Sequence, residues 1–255
     1  MNKNIRRAVF LDFDGVLFDT VREVYAVAMI SLGQADHIAG VNFRSEKFEK
    51  FNQFRYLIGP AWNYYYLMQS VSKKSAYTAR DLESEFRKSI DQSALGEHRS
   101  FEENFFQTRE RLRKTERDRW LSLVFSYRIV EDIRGLMSEF SNQFFLITTR
   151  DRESVSDLLN LYNLDIPEPN IFSKKEYELH VSKVNIIKNL INKYQIKESL
   201  FIDDLEEHLL ACKVIENLST IQAKWGYVAP EKKEDNTAFL LKELEKFIHG
   251  NNVWA

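Results

Sequence analysis

The chain has 255 residues, of which 44% are hydrophobic and 29% are charged, a balance that is typical of a folded protein and argues against disorder. Only 8 glycines and 4 prolines are present, which excludes collagen-like architectures and disfavours all-β folds with many turns. The formal net charge of −2 gives no electrostatic reason to expect binding to nucleic acid or to an anionic membrane. The length suggests a main domain that carries an insertion.

The single cysteine, Cys212, cannot form an internal disulfide bond, and we interpret it as a buried apolar side chain rather than a reactive thiol. We therefore expect a cytoplasmic protein in a reducing compartment. No apolar run approaches the roughly 18 to 20 residues that a membrane span requires, so no membrane segment is expected. The N-terminal residues Met1–Arg7 and the short apolar run after them do not match a signal sequence.

Four short apolar runs each end beside a polar side chain that could take part in chemistry. They are Ala8–Leu11 before Asp12, Phe144–Ile147 before Thr148, Leu200–Ile202 before Asp203 and the weaker Leu218–Ile221 before Gln222. Runs of this length without alternation are typical of strands buried on both faces of a parallel sheet. Because ligands collect beyond the carboxyl ends of such strands, we expect these polar residues to converge on one crevice.

The segments between these runs have the spacing of amphipathic helices. Apolar residues recur at helical intervals over Val184–Tyr194 and are similarly dense over Leu205–Ile215. Strands that alternate with helices predict an α/β fold, with a Rossmann-like open parallel sheet flanked by helices. We assign residues 1–19 and 121–255 to this core domain, and residues 20–120 to an inserted, all-helical domain.

Helical patterns dominate the insertion, most clearly at Phe48–Leu57 and Ala79–Ile90. The first helix is expected to begin at Thr20-Val21-Arg22-Glu23, whose Ser/Thr-x-x-Glu spacing predicts a capping box. The segment Arg109–Arg119 supplies the basic excess of the insertion. A solvated helix is the simpler interpretation of that segment, and attraction of an anionic substrate is the alternative.

Two carboxylates, Asp12 and Asp14, follow the first apolar run and precede Gly15. A carboxylate nucleophile divides phosphoryl transfer into the formation and the hydrolysis of an aspartyl phosphate, and a second carboxylate can carry the protons. The anions gathered at such a site need a counter-ion, and Mg²⁺ favours oxygen ligands. Gly15 would allow a turn and a close approach to the substrate.

The run Asp12-Phe13-Asp14-Gly15-Val16 resembles the first motif of the haloacid dehalogenase-like (HAD) superfamily, which reads Asp-x-Asp-Gly-Thr/Val. The resemblance implies that Asp12 is the nucleophile and that Asp14 is the general acid and base. In that family, a helical insertion at this place is a C1-type cap that closes over the crevice. The resemblance covers residues 8–20 and about 140–230, whereas the insertion matches only by position.

The run Phe144–Arg150 resembles the second motif of the family, which makes Thr148 a hydroxyl donor to the phosphate. Its neighbour Thr149 either contacts the phosphate as well or, together with Arg150, caps the next helix. In the second case we expect Arg150 to pair with Asp151 on the surface.

The third motif is a lysine that neutralises charge at the nucleophile and the phosphate. Lys183 has a similar position, 20 residues before Asp203 and just ahead of a predicted helix, although the usual proline after the lysine is replaced by Val184. Lys174 and Lys175 are the alternatives.

The run Phe201–Leu205 resembles the fourth motif in its paired-aspartate form. The alignment places Asp204 at the metal-ligand position, while Asp203 binds the metal, orients water or supports the site. The more distal acidic residue of one family variant falls at His208, which we interpret as a helix residue at the edge of the site. The resemblance thus implies a Mg²⁺ site at Asp12, Asp14, Asp203 and Asp204.

Two further segments concern the shape of the site. Trp225-Gly226-Tyr227 resembles a Trp-Gly-Tyr sequence that follows a late strand in many members, and we expect it to shape a loop, with Gly226 in a conformation that other residues resist. In the insertion, Arg55 lies among aromatic residues and could bind an anionic or polyol group of the substrate. A packed aromatic core is the simpler interpretation of that helical segment.

Together these residues predict a Mg²⁺-dependent phosphatase that hydrolyses a phosphomonoester of a small phosphorylated metabolite. Asp14 argues against the dehalogenases and phosphonatases of the family, which replace this second aspartate. A phosphomutase that uses the same motifs is the first alternative, and a protein that binds a phosphate ligand without turnover is the second. Neither the substrate nor the oligomeric state follows from the sequence.

Overall fold

The structure is a computed structural model that describes residues 5–72, 79–91 and 95–250. The chain divides into two compact units, one formed by Met1–Asp19 with Ser126–Ala255 and the other by Thr20–Phe125. Within the described part of the chain, no helix has both the length and the apolar character needed to cross a membrane.

The unit of Thr20–Phe125 consists almost wholly of helices. They are α1 (Val21–Ser31), α2 (Glu46–Gln53), α3 (Asn63–Ser72), α4 (Ala79–Asp91), α5 (Leu95–Thr115) and α6 (Arg117–Leu121). The phenylalanine repeat in Phe48–Leu57 spans two elements, because α2 is followed by a separate 3₁₀ turn at Arg55–Leu57. Phe48, Phe51 and Phe54 are buried.

A buried ion pair lies inside this helical unit. Glu23 is fully buried and accepts hydrogen bonds from Arg109 Nε at 2.8 Å and from Trp120 Nε1 at 3.0 Å. A buried carboxylate needs such partners because it has lost its hydration. The predicted capping box is wrong: α1 does begin at Val21, but the Thr20 side chain makes no capping hydrogen bond, and Glu23 is engaged elsewhere. The prediction of a solvated segment is likewise wrong for Arg109.

The other unit is built on a parallel sheet. The strands of the described residues are β1 (Arg7–Leu11), β2 (Phe18–Asp19), β3 (Phe125–Ser126), β4 (Phe144–Ile147), β5 (Ile171–Phe172), β6 (Glu198–Asp203) and β7 (Leu218–Gln222). Five of them form a sheet of order β5-β4-β1-β6-β7, in which all neighbours are parallel. β2 and β3 form a separate two-stranded sheet. The predicted α/β class with an open parallel sheet is confirmed.

The central strand β1 fixes the register of the sheet. Val9 lies opposite Phe144 on β4 and opposite Leu200 on β6. Phe10, on the same strand, is fully buried, as runs without alternation require. The carboxyl ends of β1, β4 and β6 therefore lie side by side at one edge of the sheet.

Helices complete the unit that contains the sheet. They are α7 (Ile129–Glu139), α8 (Arg152–Leu161), α9 (Lys174–His180), α10 (Lys183–Tyr194), α11 (Glu206–Cys212) and α12 (Thr237–His249). The start of α10 is capped by Ser182, whose hydroxyl accepts a hydrogen bond from the Asn185 amide. Cys212 is buried in the core, and this burial raises the pKa of its thiol to about 11. The thiol is accordingly a packing group, as we expected from the sequence.

Candidate active site

Four of the predicted site residues come together because of where the strands end. Asp12 directly follows β1, Thr148 directly follows β4, Asp203 is the last residue of β6, and Asp204 is the next residue. Each of these side chains is buried, with at most 7% of the residue exposed. The sheet edge thus holds several polar groups in a setting that excludes most water.

Lys183, the first residue of α10, lies between two of these carboxylates. Its Nζ is 2.9 Å from Asp12 Oδ1 and 2.7 Å from Asp203 Oδ2. Burial disfavours the charged ammonium, but Asp12 and Asp203 outweigh it and raise the pKa of Lys183, which keeps its charge. The structure brings this lysine to Asp12, whereas Lys174 pairs with Glu178.

Burial raises the pKa of the Asp12 carboxyl from 3.8 to about 6, although Lys183 acts in the opposite direction. Above this value the side chain is an ionised, poorly hydrated carboxylate at the end of a rigid strand. These are properties of a nucleophile, because the oxygen has little water to shed before it attacks.

Asp203 holds the ammonium group of Lys183 in place by a hydrogen bond. Its Oδ2 accepts the lysine's hydrogen bond and lies 3.0 Å from His208 Nδ1, while its Oδ1 accepts a hydrogen bond from the Leu205 amide at 2.8 Å. Burial raises the pKa of Asp203, but Lys183 and His208 outweigh it and hold the pKa well below its ordinary value. Both oxygens of Asp203 are thus occupied by protein donors.

The loop at Trp225–Tyr227 bonds both to Asp204 and to the loop that follows β1. The Tyr227 amide donates to Asp204 Oδ2 at 2.7 Å, and Trp225 Nε1 donates to the Val16 carbonyl at 3.1 Å. The Tyr227 hydroxyl also bonds to Asp19 Oδ1 at 3.0 Å. This loop therefore does more than shape the crevice, because a backbone amide within it orients a site carboxylate.

Two glycines allow this close packing. Gly15 has a φ of +87°, and a Cβ at this residue would lie 1.9 Å from Asp204 Oδ2. A Cβ on Gly226 would lie 2.1 Å from the Gly15 carbonyl oxygen. The predicted reason for Gly226 is wrong, since Gly226 is not among the glycines with positive φ, which in the described part of the chain are Gly15, Gly33 and Gly250. Close contact is what requires a glycine at position 226.

Carboxylate oxygens of Asp12, Asp203 and Asp204 lie within 4.8 Å of one another, and this is the cluster of potential metal ligands that the described residues form. The cluster holds three carboxylates beside one lysine. Hard oxygen donors with excess negative charge fit a small divalent cation such as Mg²⁺. Of the four predicted ligands, the structure brings these three together, while the carboxylate of Asp14 bonds to Arg150.

Arg150 is a buried residue of the candidate site that sequence reasoning misplaced. We expected it on the surface beside Asp151, but its side chain is fully buried, and Nη1 donates to Asp14 Oδ1 at 2.9 Å. Its Nε donates to Ser154 Oγ at 2.9 Å. Asp151 instead caps α8 by accepting a hydrogen bond from the Ser154 amide. The spacing of Arg150 and Ser154 across the start of α8 was the signal available in the sequence.

The remaining candidates lie as follows. The Thr148 hydroxyl accepts a hydrogen bond from the Arg150 amide at 3.2 Å, and Thr149 is half-buried. Arg55 belongs to the helical unit, where it is buried, lies 5.2 Å from the centre of the Tyr64 ring and donates to the Ile58 carbonyl. The specificity role of Arg55 stays a prediction.

No protein-family model matches this chain, and no curated protein matches it in sequence. Solved structures do match. A haloacid dehalogenase-like family hydrolase from Streptococcus pneumoniae is 13% identical with a TM-score of 0.54, covering 94% of this chain and 99% of the other. A "predicted phosphatase" from Clostridium acetobutylicum is 15% identical with a TM-score of 0.54, covering 95% of this chain and 99% of the other. A "predicted phosphoglycolate phosphatase" from Haemophilus somnus is 14% identical with a TM-score of 0.55, covering 95% of this chain and 99% of the other. The chain has the haloacid dehalogenase-like fold.

In this HAD-like fold, we expect the contact between Gly226 and Gly15 to be sensitive to one methyl group. Gly226→Ala places a Cβ against the Gly15 carbonyl and 2.7 Å from Asp204 Cβ, so the two loops must separate. The variant should lose about 1 to 3 kcal/mol of unfolding free energy, measured by urea denaturation.

Gly135→Ala is the matched control for this substitution. Gly135 lies within α7 with nothing within 4 Å of the added Cβ, so alanine should raise stability by about 0.5 to 1 kcal/mol. Equal stability changes for the two variants would contradict the contact described for Gly226.

Proposed function

We propose that this protein is a Mg²⁺-dependent phosphatase that hydrolyses a phosphomonoester of a small metabolite through an aspartyl-phosphate intermediate. The observation that carries the proposal is the buried Asp12, bonded to Lys183 and clustered with Asp203 and Asp204 at the carboxyl edge of the sheet. The names of the similar solved structures, a hydrolase and two phosphatases, support the same reaction class.

In the first half of the proposed reaction, a carboxylate oxygen of Asp12 attacks the phosphorus of the substrate. The bond between phosphorus and the ester oxygen breaks, and Asp14 gives its proton to that oxygen, so that an alcohol leaves. Lys183 beside Asp12 offsets the negative charge that the phosphoryl group brings into a buried site. The Thr148 hydroxyl, on the neighbouring strand end, is the proposed donor to a phosphoryl oxygen, with Thr149 as a second phosphate contact.

In the second half, Asp14 acts as a base. It removes a proton from a water molecule, whose oxygen attacks the phosphorus of the aspartyl phosphate. The acyl phosphate bond breaks, inorganic phosphate leaves, and the Asp12 carboxylate is restored. Asp14 then carries the proton that it needs for the next turnover, so the cycle closes without another proton source.

Asp12 and Asp204 are the residues that would hold Mg²⁺ by their carboxylates. Asp203 can contribute less, because both of its oxygens already accept hydrogen bonds from the protein. When bound, the cation would screen the repulsion between the carboxylates and the substrate's phosphate and draw electron density from the phosphoryl oxygens. The closeness of Gly15 and the Tyr227 amide to Asp204 would keep that carboxylate in one orientation.

We assign the role of a substrate-selecting cap to the inserted helical domain at residues 20–120, by its position after the first motif. Arg55, on an aromatic-rich segment of this domain, stays the proposed specificity residue. A small phosphorylated metabolite is the proposed partner, in the cytoplasm, without nucleic acid or membrane.

The test is a panel of phosphomonoesters assayed with the purified chain and Mg²⁺, with release of inorganic phosphate as the readout. The panel should include phosphosugars, polyol and amino-alcohol phosphates, nucleoside monophosphates and phosphoglycolate. We expect turnover of at least one ester, ranked by kcat/KM, and loss of that turnover when EDTA removes the metal. Restoration by Mg²⁺ distinguishes metal removal from damage by the chelator.

Two outcomes would replace the proposal with an alternative. Formation of a sugar bisphosphate in place of inorganic phosphate would make the protein a phosphomutase. Binding of Mg²⁺ and a phosphate mimic by calorimetry, without turnover of any ester, would make it a non-catalytic phosphate-binding protein.

A further inference from the structure

Arg150 stands out because it is a fully buried cation whose side chain contacts the nucleophile loop. Its Nη1 donates to Asp14 Oδ1, its Nε donates to Ser154 Oγ, and its guanidinium carbon lies 5.7 Å from the centre of the Phe13 ring. Phe13 lies between the two site aspartates in sequence. Ser154 and Phe13 thus hold the guanidinium on two sides while its Nη1 binds one oxygen of Asp14.

The contact is asymmetric in exposure. The Arg150 side chain is 0% exposed, whereas the Asp14 side chain is 17% exposed. The carboxylate therefore reaches toward the solvent side, and the arginine stands behind it in the protein interior. An arginine placed in this way cannot approach a substrate without leaving its buried partners, so it acts through Asp14.

We propose that Arg150 is a positioning residue that holds the Asp14 carboxyl group in the orientation required for proton transfer to and from the ester oxygen. The inference rests on the proposed phosphatase function and adds to it a residue outside the predicted set. An aspartate side chain has two rotatable bonds, and proton transfer requires its oxygen within hydrogen-bond reach of the acceptor. A guanidinium held by Ser154 and Phe13 removes that freedom.

Lysine cannot reproduce this arrangement. The guanidinium is a planar fork whose Nε and Nη1 reach two different oxygens at the same time, on Ser154 and on Asp14. A lysine ammonium is a single point charge on a flexible chain. Arg150→Lys should therefore keep the buried positive charge but lose most of the control over the orientation of Asp14. This variant thus separates the effect of the charge from the effect of the orientation.

The test compares two substrates that need the proton to different degrees. The alcohol of an alkyl phosphate leaves as a strongly basic alkoxide unless it is protonated, whereas p-nitrophenyl phosphate has a weakly basic leaving group. We expect Arg150→Gln and Arg150→Lys to lower kcat/KM for the alkyl phosphate by roughly 10²-fold, and for p-nitrophenyl phosphate by less than about 10-fold.

A double-mutant cycle measures the coupling between Arg150 and Asp14. In the Asp14→Asn background, Arg150→Gln should change kcat/KM by less than about 3-fold, because its target has already been removed. Arg152→Gln is the matched control, since this neighbouring arginine pairs with Glu176 and should leave both substrates unaffected.

Equal losses on the two substrates, or full additivity with Asp14→Asn, would overturn the inference and leave Arg150 a purely structural residue. If Arg150→Gln does not fold, Arg150→Lys, which retains the charge, takes its place. The same comparison then applies, between the loss of kcat/KM for the alkyl phosphate and the loss for p-nitrophenyl phosphate. Failure of the proposed function is distinguishable, since the wild-type protein would then turn over neither ester.

Discussion

Replacing Asp12 with asparagine is expected to abolish phosphatase turnover, with kcat lowered on the order of 10⁴-fold or more, as for the loss of other covalent nucleophiles. The amide oxygen of asparagine keeps the shape of the side chain but lacks the charge needed to form the acyl phosphate. Phosphate release with the best ester of the panel is the measurement. No radiolabelled phosphoenzyme should be trapped after acid quenching of the variant, whereas the wild-type protein should yield one.

The same substitution should not weaken the metal-free fold. The native pKa of Asp12, about 6, lies above its ordinary value of 3.8, so the native state holds the proton more tightly than the unfolded chain. Ionisation of such a group therefore lowers the free energy of unfolding as the pH rises from 3.8 to about 6, and this free energy is still lowered at pH 8. The neutral asparagine side chain removes this cost, so thermal unfolding of the variant in EDTA at pH 8 should occur at an equal or higher Tm.

Asp165→Asn is the matched control, because Asp165 is exposed and belongs to the same unit. It should change neither kcat nor Tm. Turnover by the Asp12→Asn variant above about 1% of the wild-type rate would contradict the assignment of Asp12 as the nucleophile, since removing a nucleophile costs far more.

Replacing Lys183 with methionine should have the second-largest effect, and it should act on both stability and catalysis. The change leaves Asp12 and Asp203 buried without their shared cation, which typically costs about 3 to 5 kcal/mol for a broken buried pair. Urea denaturation at pH 7.5 measures the loss. Turnover should fall as well, because the phosphoryl group then enters a site with uncompensated negative charge.

The pH dependence of unfolding shows whether uncompensated carboxylates cause the loss of stability in Lys183→Met. Burial raises the pKa of Asp12 to about 6 even though Lys183 lowers it, so without the lysine the native pKa of Asp12 should rise further. A carboxyl group with a raised native pKa destabilises as the pH increases. The Lys183→Met variant should therefore recover stability between pH 7.5 and pH 5.

Two further variants check this explanation. Lys188→Met changes an exposed lysine on the same helix, α10, and should leave unfolding unchanged. Adding Asp203→Asn to Lys183→Met removes one of the stranded charges and should restore part of the lost stability. A stability loss that is independent of pH would instead point to lost packing of the lysine's methylene chain.

Much of the sheet and of the site could be predicted because the same residues determine both. Buried parallel strands leave continuous apolar runs, and the polar residue after each run marks the strand end where ligands bind. Asp12, Thr148 and Asp203 were placed by this rule alone. Strand β5 was not predicted, because two residues are too few to form a recognisable apolar run.

Contacts between distant residues were beyond sequence reasoning. Glu23 has the spacing of a capping residue, but Arg109, 86 residues away, provides a charged partner that local spacing cannot reveal. The surface pairing of Arg150 with Asp151, one of the two alternatives for Thr149 and Arg150, is wrong, because Arg150 pairs with Asp14, 136 residues distant. The roles assigned to Thr149 and Arg55, the domain boundaries and the cytoplasmic location stay predictions.

The packing of Gly15 against Gly226 also sets a limit on engineering. Because the two residues meet without room for a methyl group, the two loops can change shape only together. A library of variants of the site should leave both glycines and Tyr227 unvaried. Recombination with other HAD-like chains should likewise exchange the two loops as a pair.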